Sequence, residues 1–340
     1  MRIRGREIPG RLVLAPLSRL GNLAFRQLVD EMGGCPLKFS EMAGARGVPC
    51  GNGHMLSGYY FRPGETDGLV CQLYGNDPEE MARAARRVEQ DGFFGVDINL
   101  GCAVKSVTRH GCGAALLKDP DRAAAIITAV RNATGLPLFV KFRTGWRDDP
   151  AGAVALARRF EDAGADALTF HPRVAPDRRT RPPRWAYIRD VKRAVEIPVF
   201  GNGNVFDRDD ALRMKEETGC DGIALGRLAL ARPWTFSQWG RGAAGMAAAS
   251  PGNTVPGSEH IGRDTALRLL ELNRRYFDPE TALRRFRKYV VYFAAGFKFG
   301  HNLYTRVQKS KDPDEVRERV ISFFDTPQEM VTRPNISILR

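Results

Sequence analysis

No apolar run in this 340-residue chain approaches the roughly 18 residues needed to span a bilayer, so no membrane-crossing helix is expected. No Cys-x-x-Cys pair occurs among the six cysteines (35, 50, 71, 102, 112 and 220). That points to free thiols in a reducing compartment rather than a disulfide framework, and to no metal centre. No Gly-x-Gly-x-x-Gly opens a strand–helix turn, so a Rossmann nicotinamide site is not supported. Arg2, Arg4 and Arg6 precede an apolar stretch at 12–17, but it is too short for a signal-peptide core and no small-residue cleavage site follows. A cytoplasmic protein is expected. Acidic charge is also scarce: 39 Asp and Glu stand against 52 Lys and Arg, giving a net charge of +13. So basic a balance favours a polyanionic partner, with nucleic acid ahead of membrane because no amphipathic anchor is evident. The other reading is a solvated basic surface.

What is present alternates. Short apolar runs at 12–17, 37–42, 69–74, 95–100, 138–142, 167–171, 198–201 and 222–226 are near-continuously hydrophobic, as parallel strands covered on both faces should be. Helical patterns lie between them at 78–90, 119–133, 151–163, 186–194 and 207–217. Asp77 before Pro78, and Asp119 before Pro120, are helix-start signals. Eight strand–helix units predict a TIM (βα)8 barrel, class α/β, over residues 1–240. A Gly-, Ala-, Ser- and Pro-rich stretch then predicts a linker over 241–258. From 259 to 340 the strands stop, and an all-α helical domain is expected, with helices at 263–277, 281–297 and 313–324. In the second, Leu283, Phe286, Val290, Phe293, Ala294 and Phe297 form one apolar stripe, and Arg284, Arg285, Arg287 and Lys288 crowd the same turns. These cations read either as a face that holds a phosphate backbone or as the solvated side of a small bundle.

The chemistry concentrates at the carboxyl ends of the predicted strands. Cys102 follows the fourth, in a loop whose glycines (Gly101, Gly111, Gly113) let backbone approach a ligand. The other reading of a lone cysteine is a small buried hydrophobe. Polar or glycine groups stand at nearly every other strand end: Glu41, Gln72, Lys141 with Arg143, His171, Gly201 to Asn204, and Gly226 with Arg227. The last two occupy the loops after strands seven and eight, where TIM barrels commonly bind phosphate.

These residues carry a resemblance. Leu14-Ala15-Pro16-Leu17, Phe39-Ser40-Glu41-Met42, Gln72-Leu73-Tyr74-Gly75 and the loop from Asn99 to Leu117 come first. Val140-Lys141-Phe142-Arg143, Thr169 to Arg173, Gly201-Asn202-Gly203-Asn204 and Cys220 to Arg227 follow. In order and spacing they resemble the dihydrouridine synthase family, flavin enzymes that reduce uridines in tRNA, over residues 12 to 236. The resemblance implies FMN held by Pro16, Leu17, Gln72, Lys141 and His171, with Asn202, Gly203, Asn204, Gly226 and Arg227 completing the cofactor set. It implies NADPH as reductant, hydride transfer from FMN to carbon 6 of uracil, and proton transfer from Cys102 to carbon 5. A thiol at the reference pKa of about 8.5 is mostly protonated at neutral pH, so a proton donor needs no activating partner. A positive charge from Lys141 beside the flavin pyrimidine edge would stabilise its reduced form. Asn99 is expected to orient flavin or uracil, and Arg143, Arg173 and Arg178 to contact the RNA at the mouth, the last two reading otherwise as part of a solvated loop; Arg284, Arg285, Arg287 and Lys288 are expected to grip it from a tail that binds tRNA. A monomer is expected. Three departures stand out: Ala103 where the family usually has proline, Pro172 where it has glycine, and Asn204 where it has aspartate. The first loosens the catalytic loop, the second stiffens the chain after His171, and the third removes an acidic group. Rival readings are a synthase acting on ribosomal RNA, a flavin barrel acting on free pyrimidines, and an RNA-binding barrel without catalysis.

Overall fold

Eight parallel strands close into a barrel. They are β1 (Leu12–Leu14), β2 (Lys38–Phe39), β3 (Leu69–Tyr74), β4 (Gly95–Leu100), β5 (Leu138–Gly145), β6 (Ala167–Val174), β7 (Val199–Asn202) and β8 (Gly222–Leu225). Each pairs with its successor and β8 pairs with β1, so no edge is left open. This computed structural model describes residues 1–50, 58–175, 177, 181–239 and 260–334. Every expected run holds one strand. β5 and β6 run three residues past the expected ends, to Gly145 and Val174. Their extensions carry polar residues on the mouth-facing side, so a search for continuous apolarity stops short of them.

The longer helices are α1 (Leu23–Met32), α2 (Pro78–Gln90), α3 (Pro120–Ala133), α4 (Pro150–Asp162), α5 (Ala186–Ala194), α6 (Arg208–Thr218), α7 (Ile261–Tyr276), α8 (Pro279–Phe293), α9 (Gly300–Gln308) and α10 (Pro313–Phe324). Five of them, α2, α3, α4, α8 and α10, begin with the same Asp-Pro pair. In each the aspartate side chain accepts the amide N–H three residues on, while proline fills a first-turn position that has no hydrogen bond to lose. Neither α1 nor α9 is among the helices expected from the sequence.

Contacts divide the chain into two units. The first comprises Met1–Ser18, Pro36–Val205 and Asp209–Leu225; the second comprises Arg19–Cys35, Phe206–Arg208 and Gly226–Arg340. In the second, α1 docks on the tail helices: Arg268 of α7 forks the Glu31 carboxylate at 2.7 and 2.8 Å, and Tyr276 donates its hydroxyl hydrogen to Gln27. The apolar stripe of α8 is buried as expected, although regular helix ends at Phe293 and Ala294–Gly296 forms a 3-10 turn. The expected 241–258 linker lies outside the described residues.

Inside the barrel, pleat alternation sorts the side chains into layers. The floor is aromatic: Phe139 meets Phe39 edge-on at 5.3 Å and Phe200 at 6.4 Å, with Ile3 and Ile8 of the N-terminal segment packed in the same cluster. Two residues further along the strands the inward positions become polar: Gln72, Asn99, Lys141 and Thr169. Phe139→Ala should open a cavity in the floor and destabilise the protein by about 3–5 kcal/mol. Urea unfolding of parent and variant should show that loss as a lower midpoint at unchanged slope.

Candidate active site

The loop after β4 is held on several sides. Asn99, the penultimate residue of β4, turns its side-chain oxygen onto the loop and accepts the N–H of Cys102 at 2.9 Å and of Gly101 at 3.2 Å. The Cys102 carbonyl accepts the Ala114 N–H at 2.9 Å. Arg143 donates from Nε to the Gly101 carbonyl at 2.7 Å, tying β5 to the same loop. At Gly113 the backbone is left-handed, φ +61°, and an added Cβ would sit 2.6 Å from the Cys102 carbonyl oxygen, so only glycine closes the loop this tightly. Cys102 is half-buried, and its backbone is firmly placed although Ala103 replaces the proline expected to stiffen it. Val104 beside it is exposed.

Gln72 reaches Asn99 from β3: the Asn99 amide donates to Gln72 Oε1 at 2.8 Å, and Gln72 Nε2 donates to Asp97 at 2.6 Å. Asp97 has no exposed surface, and burial drives its pKa up, opposed by the Gln72 hydrogen bond and the Lys141 charge. Lys141 moves the other way: desolvation, then the neighbouring Arg143, lowers its pKa, while Asp97 pulls it back up. Sequence reasoning passed over Asp97 as a site residue. The available signal was a lone carboxylate in a strand otherwise fit for full burial.

His171, within β6, meets Gly203, the first residue after β7. A Cβ on Gly203 (φ +116°) would lie 2.7 Å from His171 Cδ2 and 2.8 Å from Nε2. Trp185 donates from its indole to the Gly203 carbonyl at 3.0 Å, and Asn202 donates to the Ala224 carbonyl at 2.7 Å. Asn204 adopts φ +54°, a left-handed conformation that asparagine tolerates better than most residues. Pro16 and Leu17 stand two and three residues past the end of β1 and are half-buried. Gly226 and Arg227 follow β8 in the chain and belong to the second unit, where the Arg227 guanidinium lies 5.2 Å from the Phe206 ring.

The arginines expected to touch RNA separate by environment. Arg173 is buried within β6 rather than on a loop, and Arg178 lies outside the described residues. Of the four cations on α8 only Arg284 is exposed. Arg285 lies over the Phe277 ring at 4.2 Å, and Arg287 donates to the Ser310 carbonyl while its own carbonyl accepts from Gln308 at 2.8 Å. Lys288 is half-buried. The four therefore do not form one solvated face.

The mouth of the first unit suits a flat, polar cofactor with an anionic tail. Its amides are oriented, its lysine amine is partly desolvated, and its loop at Gly203 leaves room only for backbone.

Comparison with known proteins identifies the family. A family model described as dihydrouridine synthase matches residues 13–325. The chain is similar to tRNA-dihydrouridine synthase B of Pseudomonas aeruginosa, at 36% identity over 238 residues, 70% of this chain and 71% of that one. It is also similar to tRNA-dihydrouridine synthase B of Xanthomonas axonopodis pv. citri, at 31% identity over 325 residues, 96% of each chain. A solved 2-naphthoyl-CoA reductase complex shares the barrel fold, with a TM-score of 0.54 at 13% identity, covering 70% of this chain and 51% of that one. With one family model over residues 13–325 and a relative matched over 96% of each chain, the chain is an oxidoreductase that belongs to the dihydrouridine synthase family.

Proposed function

We propose that this protein reduces specific uridines of tRNA to 5,6-dihydrouridine, with FMN in the barrel mouth, NADPH as reductant and the Cys102 thiol as proton donor. The observation that carries the reading is the Gln72–Asn99 amide chain ending on the Cys102 backbone, beside Lys141. The names of these two relatives support tRNA as the substrate. FMN, once reduced by NADPH, supplies the hydride that goes to carbon 6 of the uracil.

The remaining roles belong to the chain. Cys102 Sγ releases its proton to carbon 5 and regains one from solvent. Lys141 would supply positive charge to the bound cofactor, and His171, packed against Gly203, would help to hold it. Gln72 presents an oriented amide at the same level. Backbone at Gly203 and Asn204 suits the phosphate, and Asn202 braces the strand beneath them. Pro16, Leu17, Gly226 and Arg227 stay in the proposed cofactor set on their positions after β1 and β8. A uridine within folded RNA is stacked, so it must be extruded to reach Cys102; Arg143 and Arg173 line that approach in this reading. Residues 259–340 are assigned to holding the tRNA.

Cys102→Ala should still bind FMN and accept electrons from NADPH, but single-turnover dihydrouridine formation should fall by about a hundred- to ten-thousand-fold. Cys112→Ala is the control and should behave as the parent. Unchanged product yield in Cys102→Ala would remove the proton-donor role.

Gly203→Ala should lose FMN on gel filtration, because the new Cβ must displace the His171 ring or the loop. Yellow colour retained at parent stoichiometry would count against a cofactor site there. On α8, replacing Arg284, Arg285 and Lys288 by alanine should weaken tRNA binding and flatten its log–log salt slope, by about 0.9 for each duplex phosphate left without its cation. Arg287→Ala should instead lower stability by about 1.5–3 kcal/mol and leave the salt slope alone, since its guanidinium is spent on the Ser310 carbonyl.

A further inference from the structure

The hydrogen bonds that hold the Cys102 loop have a direction, and the direction starts at Asp97. Ionised, Asp97 only accepts, so the amide group that meets its Oδ2 at 2.6 Å is then the NH2 of Gln72, the same polarity that the donating loop N–H groups require from the other end. That leaves the Gln72 oxygen for Asn99, whose own NH2 donates to it at 2.8 Å. Asn99 then has only its oxygen to offer, and that oxygen takes the N–H groups of Cys102 and Gly101 at 2.9 and 3.2 Å. Turning either amide round would set oxygen against oxygen at one link and N–H against N–H at another. The other Asp97 oxygen, Oδ1, is buried and makes no hydrogen bond among the described residues.

We propose that Asp97 is a positioning residue: its carboxylate sets the polarity of the Gln72–Asn99 chain and thereby anchors the backbone of the proton-donating Cys102 loop. The proposal rests on the reading of Cys102 as proton donor, but its geometry can be tested apart from turnover. In Asp97→Asn the new NH2 must face either Gln72 or the buried side where Oδ1 has no partner. The first choice turns the whole chain round and points the Asn99 NH2 at the loop N–H groups. The second strands a donor. In Asn99→Asp the loop keeps its acceptor, but the new carboxylate opposes the Gln72 oxygen. The two changes together reverse the chain consistently. Asn at 97 donates to Gln72 Oε1, Gln72 donates to the carboxylate at 99, and that carboxylate still accepts from Cys102 and Gly101.

Hydrogen–deuterium exchange of the purified protein, read on a peptide covering 99–104, tests this. Each single substitution should speed exchange there about tenfold, as loss of a local hydrogen bond does, with β6 to β8 at parent rates. The double substitution D97N/N99D should return that peptide close to parent protection, which a merely structural role for Asp97 does not predict. Parent-like exchange in both singles, or a double no better protected than the looser single, overturns the proposal. Were Asp97→Asn not to fold, Asn99→Asp against the double still decides it: rescue supports the chain and its absence refutes it. Single-turnover product formation should fall in Asp97→Asn. A parent that makes no dihydrouridine at all would sink the functional reading instead, while leaving the exchange result intact.

Discussion

The structure depends on a change of character between two neighbouring layers inside the barrel. Phe39, Phe139 and Phe200 make a dry aromatic floor, and one pleat period above it the strands turn amides and a lysine inward. The dry floor keeps Asp97 from hydration, and only an unhydrated carboxylate has so strong a demand for a donor. Gln72 meets that demand, Asn99 follows, and the loop of Cys102 inherits a fixed position. Closure of the barrel supplies the rest: with no free edge, all eight strand ends are held in one ring whose spacing the loops cannot easily alter.

The second unit shows why a count of cations is not a description of a binding face. Aromatic rings run through it in contact, from Phe25 to Tyr289 at 6.0 Å, Tyr289 to Phe293 at 5.3 Å and Phe293 to Phe297 at 5.2 Å. The basic residues interleaved with them are partly recruited to packing, Arg285 over an aromatic ring and Arg287 on a backbone carbonyl. Long arginine stems cover apolar surface as readily as they reach solvent. The charge that remains outward is smaller than the composition of this segment suggests.

Much of this was legible in the chain because parallel strands covered on both faces are near-continuous apolar runs. All eight strands and the helices at 78–90, 186–194 and 313–324 were readable that way. α9 was not, since its polar, glycine-led sequence carries little apolar period, and α1 lies in a stretch that the sequence pattern assigned to no element. At the mouth, Cys102, Lys141 and His171 were visible as polar groups at strand ends. Asp97 was hidden by the logic that found β4, because a carboxylate inside an apolar strand reads as an exception until its partner on β3 is in place. Arg287 was misleading for the opposite reason: nothing local to α8 reveals that Ser310, far along the chain, would take its guanidinium.

The five Asp-Pro helix starts bear on how such a protein drifts over generations. Two of them, at Asp119 and Asp149, stand immediately downstream of the segments that follow β4 and β5. Each start is written in two adjacent residues and needs no distant partner to be recognised. Insertions or exchanges in the loop upstream therefore leave the helix behind it beginning at the same aspartate. The rim that meets substrate is free to diversify, and the scaffold does not have to be reinvented each time it does.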